Sequence, residues 1–299
     1  METNPQEIIA TGAHAMRSLL QGLFDFAGLF PPARLGMETA VAGYLQHAQS
    51  SEAWMLNRFV VTASRLEEFA AVWNAEGRRT GSTELTVVST NWLEDRPLVK
   101  SFQDRGDPTC QVTSIETKEL AVLEDPDLHL DVYLEIPLSA DPTTLLARLN
   151  GERQFAKMRT GGLTQETFPT PDAVAEFLVS CHAARVAFKA TAGLHHPVAG
   201  QRPASCDADA PLVEMHGFVN VLLAAVAAQR EEGKSQLVEL LVAGEDDIRI
   251  EADGVHCGNW SCTAADIQQT RHSSFHSIGS CSFDEPVEDL TQLGWLPQH

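Results

Sequence analysis

Basic residues are scarce in this chain. Lys and Arg together number 21 against 41 Asp and Glu, which gives a formal net charge of −20. A surface this acidic repels nucleic-acid phosphates and anionic lipid headgroups. We therefore expect a small-molecule substrate, and neither a nucleic-acid nor a membrane partner. A solubilising acidic surface with no bearing on function would have the same composition.

The sequence also lacks the segments that direct a chain into or across a membrane. No run approaches the roughly 18 apolar residues of a membrane-spanning helix. The opening residues, METNPQEIIA, lack the basic residues and the apolar run of a secretory signal. The six cysteines form no C-x-x-C pair, and in a chain of 299 residues we expect them to be reduced. Together these features favour a cytoplasmic protein.

Two common catalytic motifs are absent as well. No predicted strand is followed by a Gly-rich dinucleotide fingerprint, and no G-x-S-x-G elbow occurs. Instead, eight short apolar runs alternate with amphipathic helices. This pattern predicts an α/β fold, a (β/α)8 TIM-type barrel forming a single domain over 1–299, with a doubly wound open sheet as the alternative. The strands are predicted within 22–28, 54–64, 84–90, 110–118, 131–138, 153–162, 187–193 and 274–283.

Two additions to the barrel are predicted. A helix at 7–21 opens the chain, and its apolar face is expected to cap the barrel bottom or to contact a second subunit of a homo-oligomer. A β-hairpin turning at Asp253–Gly254 is predicted as an insertion, at 244–262, before the last strand. Further helices are predicted at 37–50, 65–77, 96–105, 141–150, 170–186, 211–232, 263–272 and 285–296.

The chain has only five lysines, and two of them fall on consecutive predicted core strands. Because side chains alternate across a strand, the bulky Phe188 faces the helices and Lys189 faces the barrel interior. The same alternation turns charged residues of three other strands inward, each in the C-terminal half of its strand, where barrel enzymes carry catalytic groups. The predicted cluster consists of Glu116, Glu135, Lys157, Arg159 and Lys189.

This cluster has a chemical and a structural interpretation. Two ammonium groups on strands about 4.8 Å apart repel each other, and burial disfavours charge, so both effects lower a lysine pKa. A neutral amine attacks carbonyl carbon to form a Schiff base, and a nearby carboxylate moves the protons. The structural interpretation is an ion-pair network, with Lys157 bound to Glu135 and Lys189 bound to Glu116. Buried ion pairs, however, add little net stability.

The two lysine strands resemble those of a known family. Lys157-Met-Arg-Thr160-Gly161 is similar to the K-x-x-T-G strand of the deoxyribose-phosphate aldolases, and Lys189-Ala-Thr-Ala-Gly193 is similar to their K-A-S-G-G strand. The resemblance covers 154–193. It implies a class I aldolase barrel in which Lys157 forms the Schiff base and Lys189 lowers its pKa. Glu116 would stand where the family has its fourth-strand aspartate.

The sequence departs from this family after the second lysine. The Gly-Gly of the family's phosphate site is replaced by Ala192-Gly193-Leu194-His195-His196-Pro197, which argues against a phosphorylated substrate. Arg159 replaces a small residue and offers a guanidinium for a carboxylate.

A second resemblance, to an uncharacterised bacterial protein family, covers more of the chain and implies no particular chemistry. The segments that carry it are FAGLFPPA (26–33), RTGG (159–162), FKATAGLHHP (188–197), HGFVNV (216–221) and GSCSFDEP (279–286).

Histidines and small residues complete the predicted site. His195 and His196 follow the seventh strand on the catalytic face, His216 opens a helix, and one of the three is a candidate acid or base. Asp25 is either a turn residue or a further group at the mouth. Ser280 lies where backbone amides often bind an anion, and glycines allow close approach of a ligand or form turns. The candidate substrate-binding residues are Arg159, Gly161, Gly162, His195, His196, His216 and Ser280.

Three hypotheses remain open. The leading one is a class I, Schiff-base-forming aldolase or lyase that acts on a small, anionic carbonyl compound. The second is a metal-dependent barrel lyase or hydrolase in which histidines join a glutamate as ligands. The third is a non-catalytic ligand-binding barrel. In the leading hypothesis the catalytic residues are Lys157, Lys189, Glu116 and Glu135, with no cofactor and no metal.

Overall fold

The computed structural model describes residues 14–76, 82–149, 152–204 and 210–298. Residues 7–13 of the predicted opening helix lie outside these ranges. The barrel strands are β1 (Phe24–Phe26), β2 (Leu56–Thr62), β3 (Thr83–Val88), β4 (Cys110–Thr117), β5 (Asp131–Glu135), β6 (Gln154–Arg159), β7 (Phe188–Thr191) and β13 (Phe275–Ser280). All pair in parallel and close in the order β1-β13-β7-β6-β5-β4-β3-β2. The predicted (β/α)8 TIM-type barrel is therefore confirmed.

Helices surround the barrel, and most begin within a few residues of their predicted starts. Thr170 caps the helix that follows β6, since its side chain accepts a hydrogen bond from the Ala173 N–H. In the part of the chain that the structure describes, no helix has the length and apolar composition to cross a membrane. The helices are α1 (14–20), α2 (Met37–His47), α3 (Leu66–Glu76), α4 (Trp92–Gln103), α5 (Thr143–Leu146), α6 (Pro171–Ala184), α7 (Phe218–Gln229), α8 (Lys234–Val242), α9 (Ala264–Ser273) and α10 (Asp284–Gln292).

The segment between β7 and β13 differs most from its prediction. The helix predicted at 211–232 is wrong over its first residues, because Leu212–Met215 alternates exposed and buried side chains and forms a strand, β9, paired with β8 (Gly200–Pro203). The helix begins only after Gly217, where a Cβ would lie 2.4 Å from the Pro197 carbonyl oxygen.

The predicted hairpin insertion is present and is larger than expected. β10 (Ile248–Ile250) pairs antiparallel with β11 (Gly254–Cys257), so the chain turns where Asp253–Gly254 predicts. A third strand, β12 (Trp260–Thr263), pairs with β11 and makes a three-stranded sheet.

Outward-facing aromatic residues join the barrel to its helices. Phe188 of β7 stacks on Phe275 of β13 with ring centroids 4.9 Å apart, and meets Phe177 of α6 edge-on at 5.3 Å. Full burial of a phenylalanine stabilises a fold by about 1.5–3 kcal/mol. With Phe188 committed to this outer layer, the next residue of the strand, Lys189, has to face the interior.

The lower half of the barrel interior is filled by a neutral, hydrogen-bonded layer. The Tyr133 hydroxyl and His276 Nδ1 are 3.0 Å apart, and Phe155 packs against the His276 ring. Burial, helped by the nearby positive charge of Arg58, lowers the pKa of His276 to about 4, so the imidazole is neutral at physiological pH. The cavity of the barrel lies at the opposite end, among residues at and beyond the C-terminal ends of the strands.

Candidate active site

A charged layer lies directly above this neutral layer. The parallel pairing sets Glu135 of β5 beside Lys157 of β6, and Lys157 beside Lys189 of β7. Glu116 of β4 and Asp25 of β1 complete the layer from other parts of the barrel. Strand alternation turns all of these side chains into the barrel interior, where they contact one another.

Lys189 is fully buried between two carboxylates. Its ammonium contacts Asp25 Oδ2 and lies 2.6 Å from Glu116 Oε1, with the Tyr133 ring 5.3 Å below it. Burial disfavours the charged form, but the facing carboxylates of Asp25 and Glu116 outweigh it and raise the pKa of Lys189 above its ordinary value. The general expectation that burial and a neighbouring ammonium lower a lysine pKa does not hold for Lys189, because Asp25 and Glu116 both face its ammonium.

Asp25 is the residue that sequence reasoning underestimated. Its carboxylate also accepts hydrogen bonds from the Ser277 hydroxyl and the Asn57 amide, both at 2.8 Å, and from the Arg58 backbone N–H at 3.3 Å. The sequence FDF contains a signal for this position, because the alternation that turns Phe24 and Phe26 outward turns Asp25 inward. Because β1 is short, Asp25 is equally compatible with a turn when only the sequence is considered.

Lys157 is the lysine that reaches open space. Its ammonium lies 3.0 Å from Glu116 Oε2 and 3.0 Å from Glu135 Oε2, and it borders a cavity at the barrel mouth. Glu135 extends this network to the surface, since its other oxygen lies 3.0 Å from the ammonium of the exposed Lys118. The ion-pair interpretation of the sequence foresaw two separate pairs, whereas the lysines share the two oxygens of Glu116.

The carboxylates of this network are held in their ionised form. Burial alone would raise the pKa of Glu116, but the charges of Lys189 and Lys157 lower it to about 2. Burial likewise opposes ionisation of Glu135, and Lys157 and Lys118 together lower its pKa below the ordinary value. At neutral pH, Glu116 is thus a stable anion beside an amine that faces the cavity.

The cavity has a volume of about 150 Å³, and an enclosed apolar space of about this size in another protein holds benzene. Among the predicted site residues, Glu116, Lys157, Arg159, Gly162 and His195 line it. The remaining predicted residues are not part of the cavity lining: Glu135, Lys189, Gly161, His196, His216 and Ser280.

The three histidines are not brought together. His195 faces the cavity, with Nδ1 3.4 Å from Glu285 Oε2 and 3.9 Å from Cys281 Sγ. His196 turns away to Asp289 of α10, at 2.5 Å, and His216 Nε2 lies 2.8 Å from the Pro169 carbonyl oxygen. Burial lowers the pKa of both His195 and His216, so each is a neutral imidazole at pH 7.

A metal-binding arrangement is not found in the described residues. No group of three or more His, Cys, Asp or Glu side chains there is placed to hold an ion. Ser280 is also engaged elsewhere, because its hydroxyl donates to the Ser282 carbonyl oxygen at 2.6 Å. Asn220 is structural, with its amide donating to the Leu240 and Ala243 carbonyl oxygens.

The glycines after β6 and β7 let the two backbones continue side by side at close range beyond the paired strands. A Cβ on Gly161 would lie 2.7 Å from Gly193 Cα, and a Cβ on Gly193 would lie 2.8 Å from the Thr160 carbonyl oxygen. Gly193 also has a φ of +69°, which side chains other than hydrogen disfavour. Of the two interpretations of these residues, the structure supports close packing of the chain itself at Gly161.

Comparison of the sequence with models of known protein families and with curated proteins gave no match. The resemblances to the deoxyribose-phosphate aldolases and to the bacterial family therefore stay predictions, and function is argued from the site.

Proposed function

We propose that the protein is a Schiff-base-forming lyase of the class I aldolase type, acting on a small carbonyl compound with Lys157 as the nucleophile. One observation carries the proposal: among the described residues, Lys157 is the only lysine that lines the cavity, and carboxylates flank it on two sides. Its place near the C-terminal end of a barrel strand is typical of catalytic groups. The resemblance of its strand to the aldolases points to the same residue.

The first step needs a neutral amine. The Lys157 ammonium passes a proton transiently to the Glu135 carboxylate, 3.0 Å away. The freed electron pair on Nζ attacks the carbonyl carbon, and the carbonyl oxygen takes one proton from Glu135 and one from the attacking nitrogen and leaves as water. An iminium cation results, and the permanently ionised Glu116 stabilises its positive charge at 3.0 Å from Nζ.

The second step breaks a carbon–carbon bond. The substrate has to carry a hydroxyl group on the second carbon from the iminium carbon. When this hydroxyl loses its proton, its carbon becomes the carbonyl carbon of an aldehyde. The electron pair of the breaking bond moves into the iminium and gives a neutral enamine. His195 is suited to accept the hydroxyl proton, because it faces the cavity and is neutral at pH 7. Protonation of the enamine carbon and hydrolysis then release the second product and regenerate Lys157.

Lys189 and Asp25 act as positioning residues in this scheme. Lys189 has no exposed surface and does not border the cavity, so it cannot contact a ligand directly. With Asp25 holding its ammonium, it keeps Glu116 ionised and oriented towards Lys157. The pair therefore works through Glu116.

Borohydride trapping tests the proposal. The protein is incubated with a panel of aldehydes and keto acids, reduced, digested and mapped by mass spectrometry. We expect a reduced adduct on the peptide that contains Lys157, its loss in Lys157→Met, and its retention in Lys100→Met, a matched change at an exposed lysine of α4.

Two outcomes contradict the assignment. An adduct on Lys189 would show that the barrel opens to the deeper amine and that Lys157 is not the nucleophile. No adduct on any cavity lysine, with the fold intact by circular dichroism, would favour the ligand-binding barrel instead.

A further inference from the structure

Among the described residues, the cavity above Lys157 has apolar side chains along one arc of the barrel, whereas its basic side chains lie on another arc among further apolar residues such as Leu163, Phe168 and Met215. The barrel order places β1, β2 and β3 on one continuous arc, and β6, β7 and β13 on another. From the two sides we propose that the substrate is a small keto acid with one carboxylate, a short apolar body and the single hydroxyl group that the cleavage step requires, directed towards His195. This inference rests on the proposed function, since it concerns the substrate of the same site.

The β1–β3 side of the cavity is apolar throughout. Its lining residues are Ala27, Phe30, Pro31, Pro32, Val60 and Val88. A sugar-like substrate would place hydroxyl groups against this wall, where they lose water without gaining a hydrogen-bond partner. A short hydrocarbon body meets the wall at no such cost, and the volume of about 150 Å³ limits its size.

Among the described residues that line the cavity, one carries a guanidinium, and it lies on the opposite side. Arg159 lies two residues beyond Lys157 on β6, so both side chains are on the same face of the strand. Within the described ranges, no carboxylate side chain forms an ion pair with Arg159, although the chain is strongly acidic. A guanidinium binds a carboxylate through two parallel hydrogen bonds, so Arg159 is suited to the acid group of the substrate.

A phosphate dianion fits this side less well. His195 adds no positive charge, because burial lowers its pKa, and Glu285 behind it contributes a negative charge 3.4 Å from Nδ1. One guanidinium balances one negative charge, and this favours a monocarboxylate.

Four matched probes test the proposal through the concentration that half-saturates borohydride trapping of Lys157. α-Ketoisocaproate has both a carboxylate and an apolar body, methyl isobutyl ketone lacks the carboxylate, and pyruvate lacks the body. Glyceraldehyde phosphate has a phosphate and a hydroxyl group. We expect α-ketoisocaproate to half-saturate at a concentration at least about tenfold below each of the others. Methyl isobutyl ketone loses a charge-assisted hydrogen bond, and pyruvate loses the burial of the apolar body.

Variants assign the two sides of the cavity separately. Arg159→Gln should raise the half-saturating concentration of both keto acids about tenfold and leave that of the ketone unchanged. Val88→Thr, which keeps nearly the same side-chain volume, should raise the half-saturating concentration of α-ketoisocaproate and leave that of pyruvate unchanged. Arg249→Gln, at an exposed position of β10, is the control and should change the half-saturating concentration of neither keto acid.

The outcomes separate this inference from the function on which it rests. The keto-acid proposal would be overturned if α-ketoisocaproate and methyl isobutyl ketone half-saturated at the same concentration, or if glyceraldehyde phosphate bound more tightly than either. Adducts on Lys157 in the same experiment would still support the Schiff base. Absence of any Lys157 adduct with all four probes would remove the proposed function itself.

Discussion

The charged residues at the barrel mouth depend on one another for their ionisation. Glu116 is almost completely buried, and an isolated carboxyl there would be neutral because burial disfavours its charge. Two ammonium groups reverse this preference. In turn, Lys189 keeps its proton in the core only because Asp25 and Glu116 face it. Removing one member of such a network costs more than the network as a whole contributes to stability.

The variant Glu116→Gln tests this dependence through acid stability. The pKa of Glu116 falls from 4.5 to about 2 on folding, so its ionised form stabilises the native state above pH 4.5 and that contribution is lost as the pH falls towards 2. We expect the free energy of urea unfolding to decline more steeply over this window in the wild type than in the variant. At neutral pH the variant should be less stable by about 3–5 kcal/mol.

Glu124→Gln is the matched control, because Glu124 forms an exposed ion pair with Arg148 and should contribute at most about 1 kcal/mol. Parallel pH profiles for the wild type and Glu116→Gln would contradict the buried network as described.

At the scale of elements, local sequence patterns predict the strands and helices of the barrel. The conformations of the loops after β6 and β7 depend instead on the contact between these two loops. Strand alternation predicts which face of β6 and β7 carries the lysines. The close contact between Gly161 and Gly193 joins two segments that are separated in the sequence by all of α6. From the sequence, these glycines are compatible with a turn or with close approach of a ligand. The contact distance in the folded barrel favours packing of the two segments against each other.

The variant Gly193→Ala tests this close contact between the two loops. A Cβ there meets the Thr160 carbonyl oxygen at 2.8 Å and forces a side chain into a left-handed φ of +69°. We expect a loss of about 1–3 kcal/mol in unfolding free energy, measured by urea denaturation, together with weaker trapping of carbonyl compounds on Lys157. Gly200→Ala is the control, since its Cβ has no neighbour nearer than 3.8 Å. Equal stability of the two variants would show that the contact between the loops accommodates a side chain at position 193.

The whole molecule carries its charge unevenly. Its net charge is −20, yet the cavity is bordered by Lys157 and Arg159. Self-repulsion of a strongly charged chain destabilises its compact state, and salt screens that repulsion. The buried network at the mouth is screened much less, because it has little contact with solvent.

We therefore expect moderate sodium chloride to raise the stability of the native protein at neutral pH. The measurement is the free energy of urea unfolding at low and moderate ionic strength. Glucose at equal osmolality serves as the control for general solvent effects. A fall in stability with added salt would mean that exposed ion pairs outweigh the net repulsion.

Local sequence patterns were sufficient for the barrel and for the inward direction of its lysines, because strand alternation and helix caps act over a few residues. They were insufficient for β8–β9 and for α8, where a four-residue alternation and a short helix lie close to a long apolar helix. Asp25 and Lys189 are 164 residues apart and sit on strands that β13 separates. Only barrel closure brings them together, and only closure leaves Lys157, rather than Lys189, facing open space, because the burial of a charge depends on neighbours from the entire chain.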